Sequence, residues 1–255
     1  MNDLGVAVVI EDDADMRNLL EGILLQSGFE VHTASDGRNG VDLVRDVRPT
    51  VVTLDVGLPD IDGFEVLRRI RGYSNAYVVM LTGRTEETDL LTALHGGADD
   101  YITKPFRPRE MRARIAAMMR RERPQTPAGA PSAPQSEPLP PQEEGTESVL
   151  RHNGLALDCR TRTASVRGKA LELTRSEFDL MQELLRGAGA VLTKAELVRA
   201  VRGRYYDQDA LIGDSDVRAM EVHIANIRRK LGDDPDSPRW LLTVRGVGYR
   251  LAKPQ

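Results

Sequence analysis

The sequence predicts an N-terminal doubly wound α/β domain with a five-stranded parallel sheet, followed by a smaller C-terminal α+β domain. Three observations predict this organisation. Short apolar runs alternate with helical patterns over residues 6–121, a Pro-rich segment interrupts the chain at 124–147, and short alternating strands lead into helices beyond it. We therefore divide the chain into residues 1–123, a linker at 124–147 and residues 148–255.

The N-terminal elements follow two hydrophobic periods. Continuous apolar runs predict buried strands, and weaker runs predict two further strands. Helical patterns separate them, which indicates a parallel sheet covered by helices on both faces. In such a sheet the functional site lies at the carboxyl ends of the strands. The strand runs are Val6–Ile10, Glu30–Thr33, Val51–Leu54, Tyr77–Leu81 and Tyr101–Thr103, and the helical patterns are 14–27, 37–47, 63–71, 86–95 and 107–121.

The segment 124–147 is predicted to be a flexible linker. Seven of its 24 residues are Pro and none is aromatic. Such a composition cannot bury enough apolar surface to offset the entropy of ordering it. A flexible chain of this length spans roughly 25–30 Å. The linker therefore fixes little about how the two domains face each other.

The C-terminal part alternates over 149–173 and contains the turn signals of a small antiparallel sheet. Helices are expected at 174–186, 193–201 and about 216–231, with a loop at 202–215 and a closing hairpin from Trp240. Thr174 and Glu177 have the spacing of a capping box at the start of the first helix. The third helix carries one apolar stripe at helical spacing, formed by Val217, Met220, Ile224, Ile227 and Leu231.

Composition limits the classes of function. The net charge is −4, divided as −5 over residues 1–123, −4 over the linker and +5 over residues 148–255. This asymmetry makes the C-terminal end a candidate for binding polyanions. No apolar run approaches the ~20 residues that cross a bilayer. Cys159 is the single cysteine, which excludes an intramolecular disulfide and a cysteine metal site. We expect a soluble, cytoplasmic protein without a membrane partner.

Acidic side chains and one lysine lie at the ends of the predicted strands. Glu11 and Asp12 follow the first strand, Asp55 ends the third, Thr82 ends the fourth and Lys104 follows the fifth. Clustered carboxylates repel one another, and Mg²⁺, which prefers oxygen ligands, resolves that repulsion. A carboxylate beside Mg²⁺ and an ammonium group is well placed to attack a phosphoryl group. Each acid taken alone is equally consistent with a helix or loop cap.

These residues, with Asp55-Val-Gly-Leu-Pro59-Asp-Ile-Asp-Gly63 around the acceptor, resemble the receiver domain of two-component response regulators over residues 5–121. The resemblance implies that Asp55 accepts a phosphoryl group from a sensor histidine kinase. It implies Mg²⁺ as cofactor, bound by Asp12, Asp55 and the Gly57 carbonyl, with Glu11 acting through water. Lys104 and Thr82 then hold phosphoryl oxygens, and Lys104-Pro105 carries a cis peptide bond.

The same resemblance implies a switch. Thr82 moves toward the phosphoryl group, Tyr101 turns inward, and the face of the fourth helix, fifth strand and fifth helix becomes a homodimer interface. Leu90 occupies a position where members that dimerise usually carry Lys or Arg. Because each exposed ion pair contributes ~1 kcal/mol or less, this difference weakens the expectation of a dimer without excluding it. The residues expected on the dimer face are Leu90, Asp99, Asp100, Glu110 and Arg114, with Asp100 able to pair with Arg114.

Two glycines flank the predicted pocket. Gly57 and Gly83 stand where bulkier residues are common in the family. Easier access of water predicts a shorter phosphorylated lifetime.

The C-terminal end resembles the winged-helix effector domain of the OmpR/PhoB class over about residues 149–252. The likeness rests on Thr174-x-x-Glu177-Phe178, on Glu221-Val-His-Ile224-x-x-Ile-Arg228-x-Lys-Leu231 and on Val244-Arg-Gly-Val-Gly-Tyr-Arg250. It implies that the 216–231 helix enters the major groove of promoter DNA, that Arg245 lies on a wing at the minor groove, and that the 202–215 loop contacts RNA polymerase.

The residues expected to contact DNA lie on that helix and on the wing. Asn226 and Arg229 are expected to be exposed and to contact bases, whereas Arg218, Arg228 and Lys230 are expected to hold phosphates. Because Asn pairs bidentately with adenine, Asn226 predicts an A·T preference in part of each half-site. Taken by its charge alone, the helix is more often a solvated surface helix, and the motifs above favour the DNA-binding interpretation.

Three other classes of protein fit the sequence less well. A Mg²⁺-dependent aspartyl phosphatase of the haloacid-dehalogenase type needs an acid two residues after the nucleophile, where this chain has Gly57. A phosphate-binding loop enzyme needs Gly-x₄-Gly-Lys-[Ser/Thr], which is missing from the sequence. A regulator that works without phosphate conflicts with the complete acidic pocket. We therefore expect a phosphorylation-controlled transcriptional regulator that catalyses only its own aspartyl phosphorylation and dephosphorylation.

Overall fold

A computed structural model describes residues 4–83, 87–119, 149–202 and 212–254. The predicted linker, most of the predicted 202–215 loop and the first residue of the predicted 86–95 helix therefore lie outside the described residues. Within the described part, no helix is long and apolar enough to cross a membrane.

The N-terminal domain is a five-stranded parallel sheet of order β2-β1-β3-β4-β5. Each predicted strand and helix is present, with ends shifted by one or two residues. The strands are β1 (Val6–Ile10), β2 (Glu30–Ala34), β3 (Val51–Asp55), β4 (Tyr77–Thr82) and β5 (Asp100–Thr103). The helices are α1 (Ala14–Gln26), α2 (Gly37–Val47), α3 (Gly63–Arg71), α4 (Glu87–His95) and α5 (Pro108–Met119).

Helices cover both faces of this sheet. The side chains of β3 and β4 are buried along the whole of both strands, as their uninterrupted apolar runs predict. One core cluster lies between the sheet and α1 and α5, and includes Leu24 and Ile115. The other lies beneath α2, α3 and α4, and includes Leu67 and Leu94. The order of the strands places β1, β3, β4 and β5 side by side, so that their carboxyl ends share one edge.

Within residues 149–202 and 212–254, the C-terminal domain has two antiparallel sheets and three helices. The first sheet, of four strands, is β6 (Val149–His152), β7 (Leu155–Asp158), β8 (Thr163–Val166) and β9 (Lys169–Leu171). The helices are α6 (Arg175–Arg186), α7 (Lys194–Arg202) and α8 (Asp214–Leu231). The second sheet, of order β10-β12-β11, is formed by β10 (Leu192–Thr193), β11 (Leu241–Val244) and β12 (Gly248–Leu251).

Local sequence signals account for the helix ends. The capping box predicted at Thr174 and Glu177 is present, because each side chain bonds the other residue's backbone N–H. Helix α8 begins at Asp214, two residues before its predicted start, and the Asp216 carboxylate accepts a hydrogen bond from the Gly213 N–H. It ends at Gly232, whose left-handed conformation suits a glycine.

The core of this domain forms around α8. Met220, Ile224, Ile227 and Leu231 of the predicted stripe are buried with α6, α7 and the hairpin, and Val217 packs partly buried beside them. The two-residue strand β10 was not predicted, because it is too short to show an alternating pattern. It pairs with β12 and joins the hairpin to the helices.

The two domains are in direct contact. Helix α8 packs against α4 and α7 packs against α5, while the start of α6 lies against the first residues of β4 and β5. Val222 of α8 is 6 % exposed and belongs to the core cluster beneath α4, not to the core of its own domain. We call this contact of α6, α7 and α8 with the N-terminal domain the closed arrangement.

Candidate phosphoryl-acceptor site and DNA-binding surface

The predicted acidic pocket forms at the carboxyl edge of the parallel sheet. Glu11, Asp12 and Asp55 each place a carboxylate oxygen within 4.8 Å of the others, an arrangement that could hold a metal ion. Glu11 and Asp55 are buried, whereas Asp12 is exposed. The pocket therefore opens to solvent on the side of Asp12.

Lys104 joins the acids of this pocket. Its Nζ lies 2.8 Å from Asp55 Oδ1 and donates hydrogen bonds of 2.8 and 2.7 Å to the two carboxylate oxygens of Glu11. Lys104 follows β5 and is joined to Pro105 by a cis peptide bond, as the resemblance implied. One ammonium group thus lies between two buried carboxylates.

Burial and neighbouring charges shift the pKa values of two groups in this pocket. Burial raises the pKa of Glu11 above its usual range, the hydrogen bond from Lys104 opposes that rise, and the charge of Asp55 adds to it. Burial also acts to lower the pKa of Lys104, but its hydrogen bonds with Asp55 and Glu11 raise the pKa on balance. A divalent cation beside the three acids reduces the repulsion between their carboxylates, and an all-oxygen donor set suits Mg²⁺.

Backbone contacts fix the position of Asp55. A Cβ added to Gly63 would lie 2.2 Å from the Asp55 carbonyl oxygen, so this close approach requires glycine. The Gly63 N–H also donates to the Val56 carbonyl at 3.0 Å. On the other side of the pocket, Arg17 donates to the carbonyls of Glu11 and Asp12. The motif around Asp55 therefore forms a tight turn against the end of β3.

The two glycines at the rim leave space beside the acceptor. A Cβ at Gly57 would lie 3.5 Å from Asp55 Oδ2, and a Cβ at Gly83 would meet nothing within 4 Å. Gly57 is therefore next to the Asp55 carboxylate and within reach of a metal ion bound to it. The shorter phosphorylated lifetime expected from these glycines stays a prediction.

The two predicted switch residues lie on neighbouring strands. Thr82 ends β4 and is buried, and Tyr101 in β5 is half-buried against the cluster beneath α4. Tyr101 also lines a cavity of about 320 Å³ between the domains, together with Leu90, Arg114, Arg202 and Arg218. A change in the position of Tyr101 therefore alters a surface that faces the C-terminal domain.

The predicted DNA-contacting residues of α8 and of the β11–β12 hairpin lie in three different environments: solvent, the C-terminal domain itself and the contact with the N-terminal domain. Arg218 is exposed near the start of the helix, and Arg245 is exposed at the tip of the β11–β12 hairpin. Arg228 donates to the Leu241 carbonyl and to Thr243, and Lys230 bonds Glu177 at 2.6 Å, so both contact their own domain.

Asn226 and Arg229 face the N-terminal domain. Asn226 is 2 % exposed and its Nδ2 donates to the Leu94 carbonyl at 2.8 Å. Arg229 donates to the His95 carbonyl at 3.4 Å. The expectation that Asn226 is exposed is therefore wrong in the closed arrangement, because its amide satisfies a carbonyl at the end of α4. Arg229 is exposed as expected.

The residues expected on a dimer face make contacts within their own chain. Arg114 pairs with Asp100 at 3.0 Å and with Glu110 at 2.7 Å. Asp99 is buried and accepts hydrogen bonds from Arg71 at 2.6 Å and from the Val78 N–H at 3.0 Å. Leu90 packs half-buried against the cluster beneath α4. The expected pairing of Asp100 with Arg114 thus exists as an intramolecular pair.

Several polar contacts that the sequence patterns did not predict join the two domains. The Ser176 N–H, at the start of α6, donates to Asp99 at 3.0 Å, and Tyr77 donates to Asp179 at 3.0 Å. Arg202 lies between Asp100, at 3.3 Å, and Asp216, at 2.7 Å. These residues lie far apart along the chain, so no local spacing marks them as partners.

His223 of α8 also lies in this contact. It is fully buried, and its Nε2 is 3.3 Å from the Asp99 carbonyl oxygen. Burial lowers its pKa, while the charges of Glu177 and Asp99 oppose that shift. The buried imidazole is therefore favoured in its neutral form.

Comparison with known proteins identifies both domains. The model of the response regulator receiver domain matches residues 7–116, and the model of the C-terminal domain of transcriptional regulatory proteins matches residues 168–251. The transcriptional regulatory protein AfsQ1 of Streptomyces coelicolor is 38 % identical over 248 residues, which cover 97 % of this chain and 98 % of AfsQ1.

Further similarity covers the whole chain. The DNA-binding response regulator MtrA of Mycolicibacterium smegmatis is 32 % identical over 97 % of this chain and 96 % of MtrA. A solved structure of a RitR mutant has a TM-score of 0.68 at 21 % identity, and the match covers 98 % of this chain and 99 % of that chain. At that identity the structure supports the fold alone.

Proposed function

Because this chain belongs to the response regulators, and its two domains are those of the OmpR/PhoB class, we propose that its binding to promoter DNA depends on transfer of a phosphoryl group from a sensor histidine kinase to Asp55. The observation that carries this proposal is the position of the Asp55 carboxylate beside Lys104 at the open edge of the sheet. A carboxylate used only as a cap needs no half-buried ammonium group beside it.

The proposed reaction is an in-line displacement at phosphorus. One Asp55 oxygen attacks the phosphorus of a phosphohistidine, the P–N bond breaks, and the imidazole leaves with the electron pair. Lys104, held by Glu11 and Asp55, is placed to bind an oxygen of the transferred group, and the Thr82 hydroxyl binds another. Mg²⁺, held by Asp12, Asp55 and the Gly57 carbonyl with Glu11 behind them, supplies charge neutralisation when it is bound.

The proposed output is DNA binding by the C-terminal domain. Helix α8 carries Arg218, Arg228 and Arg229 outside its apolar stripe, and Arg245 projects from the hairpin tip. On DNA, α8 lies in the major groove, and the hairpin reaches the minor groove. Two phosphorylated chains bind adjacent half-sites as a homodimer, which raises the effective concentration of each domain for its half-site. On the promoter, the 202–215 loop contacts RNA polymerase.

The acceptor is tested by direct chemical labelling. The full-length protein is incubated with acetyl phosphate and Mg²⁺, and the modified peptide is mapped by mass spectrometry. We expect one phosphoryl group on Asp55, no modification of Asp55→Asn, and normal modification of Asp15→Asn, which removes an exposed acid of α1. Modification of Asp55→Asn at the wild-type rate contradicts the assignment.

A further inference from the structure

We propose that Asp60 is a positioning residue for the Gly57 carbonyl, because its carboxylate joins the loop that contains Gly57 to the first residues of α2. The inference rests on the proposed function above, in which that carbonyl is a ligand of Mg²⁺. It deepens the proposed function because it assigns the placement of one metal ligand to a residue outside the acidic pocket.

The loop of residues 56–62 connects β3 to α3 and contains no helix or strand. Backbone contacts hold its two ends. The Val56 N–H donates to the Leu81 carbonyl at 3.0 Å, and the Gly63 N–H donates to the Val56 carbonyl at 3.0 Å. Gly57 lies between these ends and is exposed. Because glycine has the widest range of backbone conformations, the direction of the Gly57 carbonyl depends on what holds the rest of the loop.

The Asp60 carboxylate connects this loop to α2. Its Oδ1 accepts a hydrogen bond from the Gly37 N–H at 2.7 Å, and its Oδ2 accepts one from the Arg38 N–H at 3.0 Å. These are the first two N–H groups of α2, which have no partner inside the helix, and the helix dipole favours an anion there. Burial acts to raise the pKa of Asp60, but these hydrogen bonds lower it on balance. The charged carboxylate therefore holds the loop at one place on α2.

Helix α2 is a fixed support for this contact. Val41 and Val44 bury one face of the helix in the core cluster beneath α2, α3 and α4. At the start of the helix, a Cβ on Gly37 would lie 2.6 Å from Ile61 Cγ1 and 3.2 Å from Asp60 Oδ1. The missing side chain of Gly37 therefore lets the loop come close enough to α2 for both hydrogen bonds.

The residues between Gly57 and Asp60 transmit the restraint. One is Pro59, whose ring fixes its φ angle at about −65°. The other is Leu58, whose side chain packs half-buried against the same core cluster. The chain from Gly57 to Asp60 therefore has few freely rotating bonds, and fixing Asp60 limits the positions of the Gly57 carbonyl. Replacement of a residue that holds a metal ligand in place typically lowers metal affinity by about 10- to 100-fold.

A residue that only caps α2 would make the same two hydrogen bonds, so the test needs a second cap of the same helix. Asp36 provides it, because its Oδ1 accepts a hydrogen bond from the Asn39 N–H at 3.0 Å. Asp36 precedes α2 and is not part of the 56–62 loop. Asp36→Ala therefore removes a cap and a negative charge from the start of α2 and leaves the contact between the loop and the helix in place.

The test measures metal affinity without a phosphoryl donor. Mn²⁺, which suits the same oxygen ligands as Mg²⁺, is titrated into the full-length protein, and free Mn²⁺ is followed by electron paramagnetic resonance. Asp60→Ala is compared with the wild type and with Asp36→Ala. Loss of binding in Asp12→Asn identifies the Mn²⁺ that is bound at the acidic pocket. Urea denaturation measures the stability of each variant.

With Asp60→Ala we expect the Kd for Mn²⁺ at the acidic pocket to rise at least about tenfold. Both alanine variants should unfold at a lower urea concentration than the wild type, because each loses a helix cap. Asp36→Ala should nevertheless keep the wild-type Kd for Mn²⁺. An unchanged Kd in Asp60→Ala, or an equal rise in Asp36→Ala, overturns the inference.

Gly57→Ala tests the step from Asp60 to the carbonyl. A Cβ at Gly57 would lie 3.5 Å from Asp55 Oδ2, which is an ordinary van der Waals contact, and alanine narrows the backbone freedom of the position. Gly57→Ala should therefore lower the Kd for Mn²⁺ by a larger factor in the Asp60→Ala background than in otherwise wild-type protein, since the loop is released only in that background. Equal factors in the two backgrounds contradict the coupling.

Asp60→Asn decides the outcome if Asp60→Ala does not unfold cooperatively in urea. It keeps the size of the side chain but replaces one acceptor oxygen by a donor. We expect its Kd for Mn²⁺ to rise at least about threefold, because one hydrogen bond to α2 is lost, and an unchanged Kd overturns the inference. Absence of Asp12-dependent Mn²⁺ binding in the wild type overturns it too. Labelling of Asp55 by acetyl phosphate is a separate measurement, so failure of the proposed phosphorylation and failure of this inference give different results.

Discussion

Replacing Gly63 by alanine should destabilise the N-terminal domain and slow phosphorylation. The added Cβ would lie 2.2 Å from the Asp55 carbonyl oxygen and 2.7 Å from the Val56 Cα, whereas real Cβ contacts are essentially never shorter than 3.0 Å. The backbone must therefore move by at least 0.8 Å, the difference between 3.0 and 2.2 Å. Overpacking of this kind costs about 1–3 kcal/mol of unfolding free energy.

The same displacement acts on the acceptor. The atom that must move is the carbonyl of Asp55, and a misplacement of about 1 Å at a reacting group can lower a rate by about 100-fold. We therefore expect the rate of phosphorylation by acetyl phosphate to fall by about 10- to 100-fold, measured by gel mobility of the phosphorylated form. The loss of stability is measured by urea denaturation of the full-length chain.

Gly22→Ala is the matched control. Gly22 lies inside α1, and a Cβ there would meet nothing within 4 Å. Since alanine has a higher helix propensity than glycine, this variant should gain about 0.5–1 kcal/mol and phosphorylate normally. If Gly63→Ala is as stable as Gly22→Ala and is phosphorylated at the wild-type rate, the argument that close approach at Gly63 positions Asp55 is refuted.

Three further predictions concern the metal, the domain contact and the DNA. Mg²⁺ at about 100 times its Kd should raise the unfolding free energy of the wild type by about 2.7 kcal/mol, measured by thermal shift, and Asp12→Asn should lose most of that gain. Because burial lowers the pKa of His223, the closed arrangement favours the neutral ring. The equilibrium constant for closure should therefore be largest above the ordinary pKa of 6.5 and decrease as the pH falls below it, by up to about tenfold per pH unit. Hydroxyl-radical footprinting of Val222, which is buried against α4, should show this opening in the wild type from pH 8 to 5.5 and a flat profile in His223→Gln. Asn226→Ala should change the relative affinities for sites substituted at A·T positions, and equal ratios for both proteins contradict base reading by Asn226.

The N-terminal domain and its pocket could be predicted from the sequence because each signal is local. The apolar run of β3 ends at Asp55, and the run of β1 ends just before Glu11, so the position of each acid follows from the end of a strand. The topology of a doubly wound sheet then brings these ends together. The hydrogen bonds of Lys104 to Glu11 and Asp55 follow from the same placement.

The arrangement of the two domains could not be predicted in this way. Val222, His223 and Asn226 lie on the side of α8 that does not contribute to the core of its own domain, and a polar helix face usually indicates solvent. Their burial depends on Leu94 and Asp99, more than 120 residues away along the chain and beyond the segment that the sequence predicts to be a flexible linker. Only the three-dimensional structure shows that α8 docks on α4.

In the proposed function, phosphorylation of Asp55 controls DNA binding. To test this, wild type and Asp55→Asn are treated with acetyl phosphate and Mg²⁺, and each is titrated on a double-stranded DNA site selected from a random library. The salt concentration is held fixed, because affinity for DNA falls steeply with salt. We predict that phosphorylation lowers the Kd of the wild type by at least about tenfold and leaves Asp55→Asn unchanged. Equal affinities of the phosphorylated and unphosphorylated wild type would contradict the claim.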